Sequence, residues 1–454
     1  MHTPACRPAA RCDIKIGTLN KRDFSSRTLF GGSVSLRGPF DPNNLTGIRA
    51  QKWNAFDATS EATDHAWQVP RLQGLPVADG ATFTPYANVT KCTAHCHYCS
   101  EDLKRHGQQT ANSHPKHLIR DHDLYFSQLQ ECFGWLSAAG LRFGLSVSGL
   151  EATVDPTWLR KLLRVSNDHA ELLTGRVLYT NGTGLYSQPE LADGFDRVEI
   201  HRDHHDDRVN QQRMRLERRV AVLRNAAFAE AVRRVAPLTA DQVFAVCILS
   251  RDGIHTLAHA QEYTRWARTV GFSGVIFREL SRLSELEFDL DGQDRAVRWV
   301  ETNRVSIDEL FRGCAEAGVQ PERLSVGYYY YNEMYAGDIF CGEMTCRAGS
   351  ASSASECLHL GGAPKSTSFT VTLEASCYEA LRRQTARKAV NKLVFHSNGN
   401  LTSGWDRDSQ VVADAKQWAT LYHNRLRATA HGVTSNLNAH GGGLSIGQAE
   451  VRVD

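Results

Sequence analysis

The chain has no uninterrupted apolar run near the roughly 18 residues that a bilayer-spanning helix needs, and 22% of its 454 residues are charged. A membrane is therefore not an expected partner. Net charge is also scarce: 52 Lys and Arg face 50 Asp and Glu, leaving +2. Without a global basic field, nucleic acid is not an expected partner either. The first ten residues contain no apolar core of signal-peptide length, so export is not indicated and a cytoplasmic location is expected. Cysteine is thin as well, 12 residues in all, too few for a disulfide scaffold. In a reducing compartment, closely spaced cysteines point instead to metal binding or catalysis.

Residues 1–75 mix short β-like runs, Asp13 to Ile16 and Ser33 to Leu36, with Gly, Pro and Asn, and read as an N-terminal extension. From about residue 80, short β-branched or aromatic runs alternate with longer helical stretches, the mark of βα units on a parallel sheet. Strands are expected at Thr82 to Thr90, Phe143 to Val147, Arg176 to Thr180, Arg197 to His201, Val243 to Leu249, Gly274 to Glu279 and Leu324 to Tyr330. A helix is expected over Asp123 to Ala139, where Phe126, Leu129, Phe133 and Leu136 recur on one face. A second opens at Asp155-Pro156, with Asp as cap and Pro at the first helical position. Further helices are expected near 210–234, 258–269 and 306–317, the last begun by the capping box Ser306-x-x-Glu309. Seven strands before residue 331 suit a βα barrel better than a flat dinucleotide fold, and no G-x-G-x-x-G follows the first strand. The expected division is 1–75 N-terminal extension, 76–330 barrel, 331–430 C-terminal domain with a helix near 408–428, and 431–454 flexible tail.

Directly after the first strand stands Cys92-Thr-Ala-His-Cys96-His-Tyr98-Cys99. Three thiolates on one short loop can hold three irons of a 4Fe-4S cube and leave the fourth open to a ligand. Zinc with His95 or His97 as a fourth ligand is the alternative use of the same donors.

The C-x3-C-x2-C spacing, with Tyr98 in the last gap, resembles the defining loop of the radical S-adenosylmethionine (SAM) enzymes. Other positions are similar in the same order. Ser148-Gly149-Leu150-Glu151-Ala152 resembles the family's Gly-Gly-Glu-Pro turn, with Leu150 and Ala152 as departures. Tyr179-Thr180-Asn181-Gly182 resembles its Thr-Asn-Gly strand end, and Ile200-His201-Arg202-Asp203 stands where its Ile-Ser-Leu-Asp lies. The resemblance implies a partial (βα)6 TIM-like barrel of α/β class with a C-terminal α+β appendage. It also implies that Cys92, Cys96 and Cys99 ligate a 4Fe-4S cluster. Tyr98, Gly149, Glu151, Asn181, His201 and Arg213 would then contact SAM, Arg213 through the cofactor carboxylate. In the family the reduced cluster splits SAM to a 5'-deoxyadenosyl radical, which takes hydrogen from an unactivated carbon. An external one-electron donor of flavodoxin or ferredoxin type is implied.

Phe277-Arg278-Glu279-Leu280 and Lys392 to Leu401 are similar to the later barrel and C-terminal turn of the branch containing the molybdopterin-precursor (GTP) cyclase. That branch carries a second cluster, for which Cys341, Cys346, Cys357 and Cys377 are the candidates here. Arg278 and Glu279 end a strand where barrel active sites lie and are the pocket candidates. The run His201 to Asp207 reads as a solvated loop with one or two pocket-facing side chains, and Cys132, Cys247 and Cys314 read as core. The expected substrate is a small polar metabolite, such as a sugar, nucleoside or amino-acid derivative. The alternatives are a peptide or protein maturase and a zinc-stabilised interaction protein.

Overall fold

The computed structural model describes residues 34–36, 71–72, 75–87, 92–99, 121–239, 242–280, 295–319, 321–326, 330–342, 369–376, 390–404 and 411–438. The run Asp13 to Ile16 lies outside them, as do Cys346, Cys357 and Cys377. After short strands β1 (Val34–Leu36) and β2 (Arg71–Leu72) come β3 (Leu75–Ala87), β4 (Phe143–Gly149), β5 (Leu173–Thr180), β6 (Arg197–His201), β7 (Val243–Ile248) and β8 (Gly274–Arg278). Strands β3 to β8 lie side by side in chain order, all parallel. Parallel neighbours need a crossover, and the chain supplies helices for it. These include α1 (His122–Ala138), α2 (Pro156–Asp168), α3 (Thr183–Ser187), α4 (Asp207–Met214), α5 (Asn225–Val235) and α6 (Leu257–Val270).

Local chemistry starts the first two helices, the first one residue ahead of the expected Asp123, whereas the helix Asp308–Glu316 opens without the side-chain capping box expected from Ser306. Asp121 caps α1 by accepting from Leu124 N at 3.0 Å. Asp155 caps α2 by accepting from Trp158 N at 2.9 Å, with Pro156 in the first turn. The α1 face carrying Phe126, Leu129, Phe133 and Leu136 is buried, as its spacing predicts. It packs on Phe83, Phe143 and Leu145 of the sheet in one continuous core. That core uses alternate residues of each strand, and the intervening ones point to the opposite face. There a smaller cluster of Phe244, Val246 and Ile276 sits among polar side chains.

The sheet does not close into a ring. Its described order is β1, β9 (Arg323–Val326), β10 (Tyr330–Ala336), β11 (Thr370–Ser376), β8, β7, β6, β5, β4, β3, β12 (Val390–Phe395), β13 (Leu401–Thr402), β14 (Val411–Ala413), so the chain is α/β with a large open sheet. The segment 331–430 contributes to both sides of it. β11 (Thr370–Ser376) pairs parallel with β8, and β12 (Val390–Phe395) pairs parallel with β3. β13 (Leu401–Thr402) and β14 (Val411–Ala413) follow antiparallel. Val34–Leu36 of the extension is an edge strand on β9.

Three expected elements come out differently. The strand over Leu324 to Tyr330 is two antiparallel strands, β9 (Arg323–Val326) and β10 (Tyr330–Ala336), paired as Asn332 with Ser325. The helix near 210–234 breaks: α4 stops where Arg215 turns left-handed at φ 49°, and α5 begins at Asn225. The break has a tertiary cause. Glu217 N donates to Thr93 O at 2.8 Å instead of continuing the helix. The helix near 408–428 yields its start to β14 and then runs as α10 (Ala415–Asn438), into the segment expected as a tail. Before it stand α7 (Arg295–Asn303), α8 (Asp308–Glu316) and α9 (Gly337–Phe340).

Candidate active site around the cysteine loop

The cysteine loop is fastened to the end of α4. A helix leaves its last carbonyls without intrahelical partners. Here His95 N donates to Met214 O at 3.0 Å and His97 N to Arg213 O at 3.4 Å. Cys99 N turns back to Cys96 O at 3.1 Å, making the tight turn that the two-residue gap requires. None of the three cysteines is in a disulfide. Burial, then the Asp203 carboxylate and the Cys99 and Cys92 thiols, push the Cys96 thiol well up. Three thiolates here therefore need a cationic centre between them, which is the donor chemistry of an iron-sulfur cluster. N–H groups aim at sulfur as well: Ala94 N at 3.4 Å and Asn181 Nδ2 at 3.8 Å from Cys92 Sγ. Among the described residues no group of three or more His, Cys, Asp or Glu side chains is gathered as for a bound metal ion.

Asn181 and Glu151 come together at the ends of β5 and β4. Asn181 Nδ2 donates to Thr93 Oγ1 at 3.0 Å, and its backbone N donates to Glu151 Oε2 at 2.6 Å. Glu151 Oε1 also accepts from Thr153 N at 3.1 Å, Thr153 Oγ1 at 2.6 Å and Thr180 Oγ1 at 2.7 Å. A carboxylate offers about four lone-pair sites, and the four donors use most of that capacity. Burial raises the Glu151 carboxyl despite these hydrogen bonds. The side chain thus ties the β4 turn to the β5 end, which supports the loop through Asn181. Gly149, at φ 127°, gives the turn a backbone that a side chain would oppose.

Tyr98, His201 and Arg213 meet at Asp203, which ends the stretch Ile200 to Asp203 that stands where the family's Ile-Ser-Leu-Asp lies. The fully buried Asp203 accepts from the Tyr98 hydroxyl through Oδ2 and from Ile248 N at 3.1 Å through Oδ1. His201 Nε2 lies 2.8 Å from Asp203 Oδ1 and 3.0 Å from the Tyr98 hydroxyl. Arg213 Nε is 3.5 Å from Asp203 Oδ2. Burial pushes the Asp203 carboxyl up, but His201 and Arg213 outweigh it and hold the group well below the usual carboxylate range. Arg213 also bonds Asp252, Ser250 and the Ile248 carbonyl and lies under Trp299 at 5.7 Å. Its charge is engaged internally, which leaves less of it for a cofactor carboxylate than the resemblance implies. Trp299 stacks on His97 at 5.3 Å and approaches Tyr98 at 5.7 Å, closing the loop from the α7 side. Trp299 escapes a sequence reading because it stands in no spaced motif, whereas Asp203 stands in one, Ile200 to Asp203, that does not reveal its role. The signal available for Asp203 was an acid directly following a strand-end His-Arg pair.

Arg278 and Glu279 do not pair with each other. Successive strand residues point to opposite faces, and Arg278 reaches Glu374 and Glu199 whereas Glu279 reaches Arg304. In the run after His201, His204 and His205 stack at 4.4 Å, and His205 Nε2 lies 3.1 Å from Glu262. Cys132, Cys247 and Cys314 are fully buried, as expected of core residues. Cys341 is buried too, with Sγ 3.9 Å from the Gln261 carbonyl.

No family model matches the sequence, and no curated protein matches it. Among solved structures, the chain is similar to SuiB of Streptococcus suis bound to S-adenosylmethionine, with a TM-score of 0.43 and 9% identity over 82% of this chain and 74% of that one. Against SuiB bound to precursor peptide SuiA, it spans 40% of that chain's length. It is also similar to the radical SAM enzyme coproporphyrinogen III oxidase (HemN) from Escherichia coli, with a TM-score of 0.31 and 10% identity over 57% of this chain and 67% of that one. A radical SAM methyltransferase from Sphaerobacter thermophilus gives a TM-score of 0.29 and 17% identity over 39% of this chain and 52% of that one.

Proposed function

We propose that the chain is a radical SAM enzyme in which Cys92, Cys96 and Cys99 hold a 4Fe-4S cluster. The supporting observation is the placement of that loop. It is hydrogen-bonded to the carboxyl end of α4 and tied through Asn181 to the β5 end and through Tyr98 to the β6 end. In parallel α/β sheets, ligands gather outside the carboxyl ends of the strands. When bound, the cluster supplies the electron that splits the SAM sulfonium and so starts hydrogen abstraction from a substrate carbon.

The chain's own residues do the rest. Ala94 N and Asn181 Nδ2 donate toward Cys92 Sγ, where hydrogen bonds to a ligating sulfur would tune the potential of a bound cluster. Glu151 fixes the turn at Gly149, whose backbone would receive the methionine end of SAM. Tyr98 and Trp299 cover the loop and keep water away from a reactive intermediate. The substrate in this reading is a small polar metabolite, and a flavodoxin or ferredoxin type donor supplies electrons. The GTP-cyclase-like branch and a second cluster at Cys341 are not part of it.

Anaerobic reconstitution tests the reading. It expects about four irons with sulfide per chain, a brown chromophore, and 5'-deoxyadenosine on addition of SAM and a strong reductant. Colourless protein holding stoichiometric zinc would replace it with the interaction-protein alternative. Hydrogen transfer from a peptide alone would replace the metabolite with a maturation substrate.

A further inference from the structure

The sheet face opposite the helices carries a charge-balanced array that the cysteine loop does not use. Asn332, Glu374 and Arg278 stand in one row across β10, β11 and β8. Arg278 Nε bonds Glu374 Oε1, and its Nη2 reaches Glu199 Oε2 on β6 at 3.4 Å. Arg197 pairs with the other oxygen of Glu199 at 3.0 Å and lies over the Phe244 ring at 3.9 Å. Arg278 approaches the Tyr179 ring at 6.0 Å.

On a central strand, with helices on the far side, the Arg278 side chain is still 26% exposed and that of Arg197 24%, so this face opens to solvent. Asn332 is 7% exposed, and its Oδ1 has no hydrogen-bond partner among the described residues. A buried acceptor left without a donor is costly, and a ligand donor would satisfy it. The array shares β6 with the contact to the cysteine loop. Glu199 precedes His201 by two residues, about 6.6 Å of strand, and His201 meets Tyr98.

We propose that this face recognises the substrate and that it takes an uncharged, hydroxyl-rich group, that of a sugar or nucleoside. The inference rests on the radical SAM reading for the chemistry that follows binding, but not for binding itself. Two guanidiniums already face two carboxylates. An incoming carboxylate or ammonium would add an uncompensated charge, or separate a partly buried pair and strand one member. A hydroxyl both donates and accepts. It therefore suits the Asn332 acceptor and the Arg278 Nη1 donor, which makes no hydrogen bond to a described residue, without disturbing the charge balance.

Saturation-transfer NMR on the full reconstituted chain tests this. The probes are methyl β-glucoside and uridine, their anionic counterparts glucuronate and uridine monophosphate, and cationic glucosamine. The unaltered chain should bind at least one neutral probe at least fivefold better than its charged counterparts, and which one binds separates sugar from nucleoside. Glu374→Gln leaves Arg278 in excess and should shift preference at least fivefold toward the anionic probe. Asn332→Asp adds a negative charge and should shift it toward glucosamine, so one variant suffices if the other fails to fold. Binding of no probe, preference for a charged probe by the unaltered chain, or unchanged preference in the folded variants overturns the inference. SAM cleavage is measured alongside. Intact SAM with the expected binding pattern sinks the radical reading alone, and cleavage without that pattern sinks this inference alone.

Discussion

The Tyr98 hydroxyl lies 3.0 Å from Nε2 of His201, joining the residue before the last cysteine of the loop to the last residue of β6. Through Asp203, which both of them touch, the contact extends to Arg213 on α4. The loop is thus held at its backbone and through side chains, Tyr98 and Thr93 among them.

Tyr98→Phe removes that hydroxyl and leaves Asp203 with one donor fewer. The expected cost is about 1–3 kcal/mol, read as a lower urea midpoint. Cluster content should persist, because the three thiols are untouched, while SAM cleavage slows. A variant as stable as the parent would show that the contact holds nothing.

Cys96→Ala should abolish both iron retention and 5'-deoxyadenosine formation while far-UV circular dichroism stays unchanged. The side chain belongs to the loop and not to the strands that carry the core. Cleavage of SAM by this variant would remove the cluster from the mechanism.

Two glycine substitutions should move stability in opposite directions. A Cβ at Gly184 would collide with the Thr153 carbonyl, and Thr153 holds Glu151. Gly184→Ala should therefore cost about 1–3 kcal/mol and weaken SAM binding. Gly134 lies in α1 with nothing within 4 Å of its would-be Cβ, and Gly134→Ala should add roughly 0.5–1 kcal/mol. Thermal melts decide both.

Acid sensitivity should centre on His204. Burial, then His205, lowers its pKa to about 4. The unfolded chain takes up a proton near pH 6.5 that the folded chain refuses until about pH 4. Stability therefore falls as pH drops through that window, with a slope approaching one proton. His204→Gln should flatten it. Asp203 acts with the same sign lower down: its depressed carboxyl stabilises the fold above about pH 4, and that stability is lost as pH falls further. Urea midpoints measured from pH 7 to 3 separate the two groups.

The sequence alone determined the parallel βα rhythm, the helix start at Asp155 and the cysteine spacing. Each rests on local chemistry: side-chain period, a cap three residues from its donor, a turn that only a short gap allows. It also brought Glu151, Asn181 and His201 to strand ends, because strand order puts them there. The tertiary structure decided that the sheet stays open, since β11 and β12 arrive late in the chain and take opposite sides of the parallel core. It decided that α4 breaks at Arg215, because the loop claims the backbone groups a longer helix would use. It decided as well that Arg213 and Arg278 answer to carboxylates distant in sequence, Asp203, Asp252, Glu199 and Glu374. Charge pairing across strands depends on which faces are brought together, and no spacing along the chain encodes that.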